Sequence, residues 1–254
     1  MRKWNLFAVA ILITLLVIPV RIGSAAGFEV AVDVWNQGPS GDISDKGESL
    51  SLKDELKYGT KSRFSGRVKV ETPLGLPNLY LMVSPVKFEG EGSKDISFTF
   101  NNKTFTEGVP FSSTLRFDQY DIALYYGLPF IKIGTVGKFN VDMGIDARFI
   151  DFRAEIKQPI AGASASKSLV IPMPMIYVGA QFKPISLIGI EAEARGILYN
   201  SNHCYDLIGR AKVRPAGPLF IAGGYRYEEI KLDVSDVKGK VKFQGPFAEV
   251  GLEF

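Results

Sequence analysis

The chain has 254 residues, of which 46% are hydrophobic and 12% aromatic, and this composition excludes a disordered protein. Its 26 glycines and 14 prolines are spread along the sequence, which predicts many short elements joined by sharp turns and argues against a helical bundle. A single cysteine, Cys204, and a single histidine, His203, exclude an internal disulfide and cysteine-based zinc clusters, so we expect neither a metal nor another cofactor.

Residues 1–26 have the pattern of a signal peptide. Arg2 and Lys3 precede an apolar run at 6–20, and small residues follow it. The run is shorter than the roughly 20 residues needed to span a bilayer, so we expect a cleaved signal rather than a membrane anchor. Removal of residues 1–26 takes away Arg2, Lys3 and Arg21 and no acidic residue. This leaves 27 basic and 27 acidic residues, so the formal charge falls from +3 to zero. Nothing in that balance predicts nucleic-acid binding.

Residues 27–254 alternate apolar and polar side chains with a period of two, which is typical of β-strands with two different faces. The clearest case is 139–149, where one face carries only apolar residues and the other carries Asn140, Asp142, Gly144, Asp146 and Arg148. Ten such segments can be drawn, at 28–36, 62–72, 78–88, 114–126, 138–156, 168–182, 187–199, 203–214, 218–233 and 240–254. Many of them match the roughly 9–11 residues of a tilted membrane strand.

The connections between these segments are of two kinds. Three are tight turns, at 72–77, 183–186 and 214–217. Three are longer and more polar, at 37–61, 89–113 and 157–167. This alternation is expected when tight turns face the periplasm and longer loops face outside. We therefore predict an all-β fold: a single closed antiparallel transmembrane β-barrel over 27–254, with about ten strands, eight being the alternative.

The polar faces of several segments are too charged for a soluble core. We predict that these charges line the lumen and are paired or solvated there, because an isolated ion in an apolar medium is costly. Glu193 and Arg210, on neighbouring segments, are expected on facing walls. The predicted lumen network consists of Asp142, Asp146, Arg148, Glu191, Glu193, Arg195, Arg210, Lys212 and Arg226.

Aromatic residues near the segment ends, among them Tyr120 and Tyr205, are consistent with interfacial girdles. In the last segment Val250, Leu252 and Phe254 follow one another at two-residue steps. That pattern resembles the terminal strand that bacterial outer-membrane barrels present to their assembly machinery. Outer-membrane lipid and this machinery are therefore the expected partners.

Seven short sequences occur in order along the chain. They are SLKDEL at 51–56, PLGLPN at 73–78, SFTF at 97–100, QYDIALYY at 119–126, IPMPMIY at 171–177, GGY at 223–225 and FQGPF at 243–247. Together they resemble a family of small proteobacterial outer-membrane β-barrels that is named for a Gly-Gly pair and is similar in style to OmpW-like barrels. The resemblance implies the fold and the outer-membrane location, and it carries over no catalytic residue.

Three local features carry structural expectations. Gly223 and Gly224 lie inside a strand-like run, where glycine indicates a bulge or a close approach of backbone rather than a ligand site. Pro172 and Pro174 cannot donate ladder hydrogen bonds, so we expect a local break or bulge near the extracellular rim. The segment 50–58 forms either a helical turn in the first outer loop or a partial plug.

A barrel of this size has an interior largely filled by side chains. We therefore expect a structural or surface protein of the outer membrane, or a narrow conduit for small polar or hydrophobic solutes, and not an enzyme. One alternative is a lipid-modifying or proteolytic enzyme at the barrel rim, using His203 with Ser201, Asn202, Cys204 and Asp206. The other is a soluble periplasmic lipocalin-like carrier, which would leave the repeated apolar outer faces unexplained.

Overall fold

The computed structural model describes residues 27–45, 49–73, 75–93, 97–199, 202–234 and 237–254. The predicted signal peptide, 1–26, lies outside the described residues. The strands of the described part are β1 (Phe28–Asp45), β2 (Ser49–Ser51), β3 (Lys61–Val70), β4 (Asn78–Ser84), β5 (Lys87–Gly92), β6 (Phe98–Phe100), β7 (Lys103–Phe105), β8 (Phe111–Gly127), β9 (Phe139–Gln158), β10 (Ala163–Ile185), β11 (Ile188–Tyr199), β12 (Asn202–Ala216), β13 (Leu219–Val234) and β14 (Val237–Glu253). A short helix, α1 (Pro129–Gly134), and a 3-10 turn (Pro159–Ala161) complete the elements.

The strands form a closed antiparallel barrel. Each long strand pairs with its neighbours in chain order, and β1 pairs with β14 from Glu29 opposite Glu253 to Asp45 opposite Val237, which closes the ring. β4 and β5 both pair with β8 and together make one strand of the wall. The wall therefore has ten strands, and the predicted fold is confirmed with ten rather than eight. No helix in the described residues has the length and apolar character needed to span a bilayer.

The two ends of the barrel differ, but the predicted long loop at 157–167 is only a short connection that holds the 3-10 turn between β9 and β10. The end that holds Phe28 and Phe254, called here the terminal end, carries the short turns and α1. The opposite end, called here the loop end, carries the β6–β7 hairpin and the segment 49–60. β1 continues nine residues beyond its predicted end at 36, because its upper part pairs with β14.

An apolar belt surrounds the terminal half of the barrel. On β9 every outward residue from Phe139 to Phe149 is apolar or small, and these residues cover ~25 Å of barrel height at the usual rise and tilt of a membrane strand. Well-exposed members of the belt on other strands are Ile122, Leu124, Tyr126, Ile176, Ile190, Leu207, Ile221, Tyr225 and Val250. Above the belt the outer face of β9 turns polar, with Asp151, Arg153, Glu155 and Lys157.

The segment 49–60 closes the wall above β3, between β1 and β5. The Leu52 amide donates to the Gly41 carbonyl of β1, at 2.9 Å. On the other side the carbonyls of the segment lie so close to Gly90 and Gly92 of β5 that a Cβ at either glycine would come within 2.1 Å of a carbonyl oxygen. The segment turns inward four buried apolar residues, Leu50, Leu52, Leu56 and Tyr58. Both predicted alternatives are present in part: the Glu55 and Leu56 amides donate to the Ser51 carbonyl in a single turn, and the segment also folds inward.

The expected break in β10 at Pro172 and Pro174 is wrong. β10 pairs with β9 without a register shift from Ala163 to Phe182. Its pairing with β11, however, begins only at Ile176 opposite Gly196, so both prolines lie on a stretch with a free edge. A proline is tolerated at such an edge because its missing N–H removes no ladder bond. The prolines thus mark where the β10–β11 pairing stops.

Candidate functional site

The alternation of the strands places the charged residues in the lumen. All nine predicted network residues lie on inward-facing positions, of β9 (Asp142, Asp146, Arg148), β11 (Glu191, Glu193, Arg195), β12 (Arg210, Lys212) and β13 (Arg226). Of these, only Asp142 is not among the buried residues. The lumen of the terminal half is therefore an ionic interior inside an apolar belt.

Arg148 lies at the centre of one cluster. Its guanidinium donates to three carboxylates of three other strands: Asp121 at 2.6 Å, Glu228 at 2.6 Å and Asp206 at 2.5 Å. The Arg148 side chain is fully buried. Because a guanidinium has five donors in a fixed fork, one arginine can hold several walls of the barrel at once.

Arg226 extends this cluster toward β4. It donates to both oxygens of Asp206, at 2.9 and 2.8 Å, and to the Ser84 hydroxyl at 2.7 Å. Its guanidinium carbon lies 4.4 Å from the centre of the Trp35 ring, a cation–π contact with β1. Asp206 therefore joins Arg148 and Arg226.

Glu193 is the centre of a second cluster. Lys69 and Tyr80 donate to its two oxygens at 2.8 and 3.0 Å, and Arg195 donates at 3.1 Å. Arg210 of the adjacent strand β12 lies 3.3 Å from Glu193, so the two residues form an ion pair side by side on one wall of the lumen and do not lie on facing walls. Arg210 also lies 3.4 Å from Glu191.

A third cluster lies nearer the terminal end. Arg67 donates to Glu249 through two bonds of 2.8 and 2.9 Å and also pairs with Glu29. Lys212 reaches Glu29, Glu191 and Glu253 at 3.0, 2.8 and 3.2 Å. These pairs join β1, β3 and β14, where the barrel closes.

Two of the predicted residues have fewer partners. Asp146 lies 3.6 Å from Arg195, and neither of its oxygens accepts a hydrogen bond in the described structure. Asp142 accepts one bond, from the Asn140 amide at 2.8 Å. Both carboxylates are on β9, toward its terminal end.

Seven charged lumenal partners were missed in the sequence: Glu29, Arg67, Lys69, Asp121, Glu228, Glu249 and Glu253. The signal that could have found them was the same alternation, because Glu29 stands between Phe28 and Val30, and Glu249 between Ala248 and Val250.

The middle of the lumen is filled by these side chains, and above them the interior is apolar. Phe243 stacks on Phe88 with 5.6 Å between the ring centres and packs on Phe117 at 5.5 Å. Below the charges, at the terminal end, lies a cavity of about 230 Å³, called here the terminal cavity. The described lumen is thus a packed interior with a polar cavity at the terminal end.

The residues of the predicted rim site do not come together. His203 points outward, where its Nε2 lies 2.8 Å from Glu229 and its ring stacks on Tyr205. Cys204 and Asp206 are fully buried on the inner face of the same strand. The barrel wall separates them from His203, and Ser201 lies outside the described residues.

Glu229 is the centre of a polar cluster at this outer rim, above the belt. Burial alone would raise the pKa of Glu229, but hydrogen bonds from Lys240, His203, Tyr227 and Lys242 outweigh it and hold the pKa well below its ordinary value. Lys240 and Lys242 lie 2.8 and 3.3 Å away. The imidazole is therefore part of a structural ion cluster.

The structure places the remaining predicted residues as follows. Val250, Leu252 and Phe254 lie on or just beyond the outer face of β14 at the terminal end, with Phe254 67% exposed. Gly224 faces inward, where a Cβ would come within 2.1 Å of the Gly209 carbonyl oxygen and 2.6 Å of the Phe247 ring. Gly223 faces outward with no contact closer than 3.9 Å. No group of His, Cys, Asp and Glu suited to a metal ion occurs within the described ranges.

No family model and no curated protein sequence matches this chain. Several solved structures are similar. Ail, the attachment invasion locus protein of Yersinia pestis, is 13% identical with a TM-score of 0.41, over 91% of this chain and 99% of that one. The translocator domain of the autotransporter NalP from Neisseria meningitidis is 12% identical with a TM-score of 0.46, over 98% and 95%. Similarities at this level support no statement about what this protein binds. The evidence that the fold is a closed barrel is the strand pairing described above.

Proposed function

We propose that the protein is an integral outer-membrane β-barrel with a sealed lumen, and that it acts as a structural or surface protein rather than an enzyme. The observation that carries the proposal is the reversal of polarity across the wall. In the terminal half the outer face is apolar and the inner face is charged. A soluble barrel or carrier would place those two faces the other way round.

The dimensions of the barrel support a membrane location. An apolar belt of ~25 Å matches the hydrocarbon band of outer-membrane barrels. The charged collar of β9 begins directly above it, at Asp151 and Arg153, where a membrane protein meets headgroups and water. Closure by β1 and β14 leaves no free edge in the belt between these strands, as a hydrocarbon environment requires.

Two measurements test the proposal. Protein purified from membranes should migrate differently in detergent gels before and after boiling, because a closed ring of strands unfolds slowly. In planar bilayers it should show little or no conductance, because the clusters around Arg148 and Glu193 fill the lumen. Recovery in the soluble fraction with identical boiled and unboiled mobility would contradict the barrel in a membrane. Large stable conductance would contradict the sealed lumen.

A narrow conduit is the second candidate, and the terminal cavity is the observation that favours it. A solute entering there would meet Glu193 and its cations before reaching the apolar interior. A conduit predicts that Glu193→Ala changes conductance or ion selectivity while leaving stability nearly unchanged. A sealed lumen predicts a loss of stability without conductance.

The proposed partners are outer-membrane lipid and the barrel-assembly machinery. Lipid contact follows from the belt, and the outward Val250, Leu252 and Phe254 of the closing strand offer an apolar edge for assembly. We expect Phe254→Ala to reduce insertion in cells far more than refolding in detergent, since one exposed aromatic contributes little to folded stability. If insertion in cells and refolding in detergent fell equally, Phe254 would act only through packing in the folded barrel and not as an assembly signal.

A further inference from the structure

The terminal cavity is lined by six carboxylates and two lysines. Four of its carboxylates, Glu29, Glu191, Glu193 and Glu253, are each paired with lysine or arginine. The other two are Glu71, whose side chain lies over Gly27, and Asp142. Neither forms an ion pair with any residue that the structure describes. Lys69 and Lys183 also line the cavity, where they pair with Glu193 and Glu253, so Glu71 and Asp142 are the lining carboxylates that have no ion pair in the described structure.

A buried polar atom beside one of these carboxylates also lacks a partner. Tyr177 is completely buried, lines the cavity, and its hydroxyl makes no hydrogen bond within the described structure. A side chain on Gly179 would place its Cβ 2.8 Å from the Tyr177 hydroxyl and 3.4 Å from Oδ2 of Asp142. Both oxygens thus lie next to the inner face of Gly179, and no hydrogen bond joins them in the described structure. Oδ1 of Asp142, by contrast, is taken by Asn140.

Such an arrangement calls for a group that donates hydrogen bonds and carries positive charge. A buried phenol oxygen without a partner costs free energy, and a donor between it and the carboxylate would satisfy both. An ammonium group fits because it has three N–H donors and no acceptor. The aromatic ring of Tyr125, which also lines the cavity, provides a further favourable surface for a cation.

We propose that the terminal cavity binds a small organic ammonium, with Asp142 and the Tyr177 hydroxyl as its direct partners and Glu71 attracting it at the mouth. The volume of about 230 Å³ admits an aliphatic amine of a few carbons. Gly27, Gly137 and Phe254 lie at the edge of the cavity, so the solute enters from the terminal end. The site lies within one barrel and does not depend on where the barrel is inserted.

The test is a titration of detergent-purified protein with propylammonium chloride, followed by the amide resonances of Asp142 and Gly179. Sodium chloride at equal ionic strength and uncharged propanol are the matched probes. We expect saturable shifts with propylammonium alone. Asp142→Asn keeps the shape and removes the charge, and we expect it to raise the dissociation constant about tenfold. Gly179→Ala should block the site without changing any charge.

The matched control is Asp151→Asn, which removes a carboxylate from the outer face of the same strand and should leave the affinity unchanged. Should Asp142→Asn fail to fold, Glu71→Gln provides a second variant at the cavity mouth and should weaken binding in the same direction. Equal shifts with propylammonium and sodium would mean that the cavity holds only water and salt, and would overturn the proposal. Wild-type affinity in both Asp142→Asn and Gly179→Ala would overturn it too. Neither result would affect the gel and conductance tests of the proposed function.

Discussion

The two halves of the barrel are built from the same strands with opposite polarity. On β9 the residues from Phe139 to Phe149 put apolar side chains outside and polar ones inside. One residue later the pattern reverses, with Ile150 and Phe152 inside and Asp151 and Arg153 outside. The period of two continues unbroken through the change. The geometry of the strand therefore decides which side chains share a face, and the residue types decide which face is apolar at each level of the barrel.

The comparison also shows two ways to fill a narrow barrel. The terminal half is held by ion pairs that cross the lumen, whereas the loop half is held by stacked rings and by the leucines of segment 49–60. The hydrogen bonds of an ion cluster are directional, so its contribution to stability depends on the presence of every member. An apolar interior instead loses stability in proportion to the side-chain volume that is removed. The two halves should respond differently to substitution.

The largest effect is expected in the ionic half. Arg148→Met removes the donor shared by Asp121, Asp206 and Glu228, and leaves three buried carboxylates without it. We expect a loss of about 3–5 kcal/mol in the free energy of unfolding in detergent, as when a buried pair loses one partner. The control is Arg153→Met on the outer face of the same strand, with an expected loss below about 1 kcal/mol. Equal effects at the two positions would refute the ionic interior.

Next comes the apolar half. Phe243→Ala removes a ring that contacts Phe88 and Phe117, and should cost about 3–4 kcal/mol because the neighbours cannot fill the space. Conductance should stay as in the wild type if the charged layer below remains closed. Denaturant titration and bilayer recording measure the two quantities on the same preparation. A conducting variant would show that the apolar half, and not the ion clusters, seals the lumen.

A smaller effect is expected on the belt, and only in lipid. Ile145→Arg places a charge on the outer face, and we expect a cost of about 2–4 kcal/mol near the middle of a bilayer. Asp151→Arg, on the same face above the belt, should cost no more than about 1 kcal/mol. Refolding into vesicles measures both. A cost at position 151 equal to that at 145 would place the membrane boundary elsewhere.

The smallest effect concerns the outer rim and pH. Because the pKa of Glu229 is lower in the folded state than its ordinary value of 4.5, its cluster contributes stability above that pH and loses it as the pH falls. We expect Glu229→Gln to be about 1 kcal/mol less stable than wild type at neutral pH, and the difference to shrink under acid conditions. Unfolding titrations at several pH values measure it. If the difference in stability grew as the pH fell, the ionised Glu229 would destabilise the fold, and the expected contribution of its cluster would be wrong.

Much of the fold could be predicted because alternation is a local property. The ten segments and the inward position of Arg148 or Glu193 follow from residues within a few positions along the chain. The expected break at Pro172 failed for the opposite reason. Whether a proline breaks a ladder depends on whether the next strand is paired there, and the β10–β11 pairing stops at Gly196, short of both prolines.

What the sequence determined by itself is therefore the set of strands and the two faces of each, since both arise from the geometry of an extended chain. For charges on strands that are distant in the sequence, only the tertiary structure decided which of them meet. Arg67 and Glu249 are 182 residues apart and form a pair because β1 lies between β3 and β14 in the closed ring. The tertiary structure also decided that segment 49–60 turns its leucines inward, because the wall above β3 is otherwise open. Closure brings together the ends of the chain, and no local pattern contains that information.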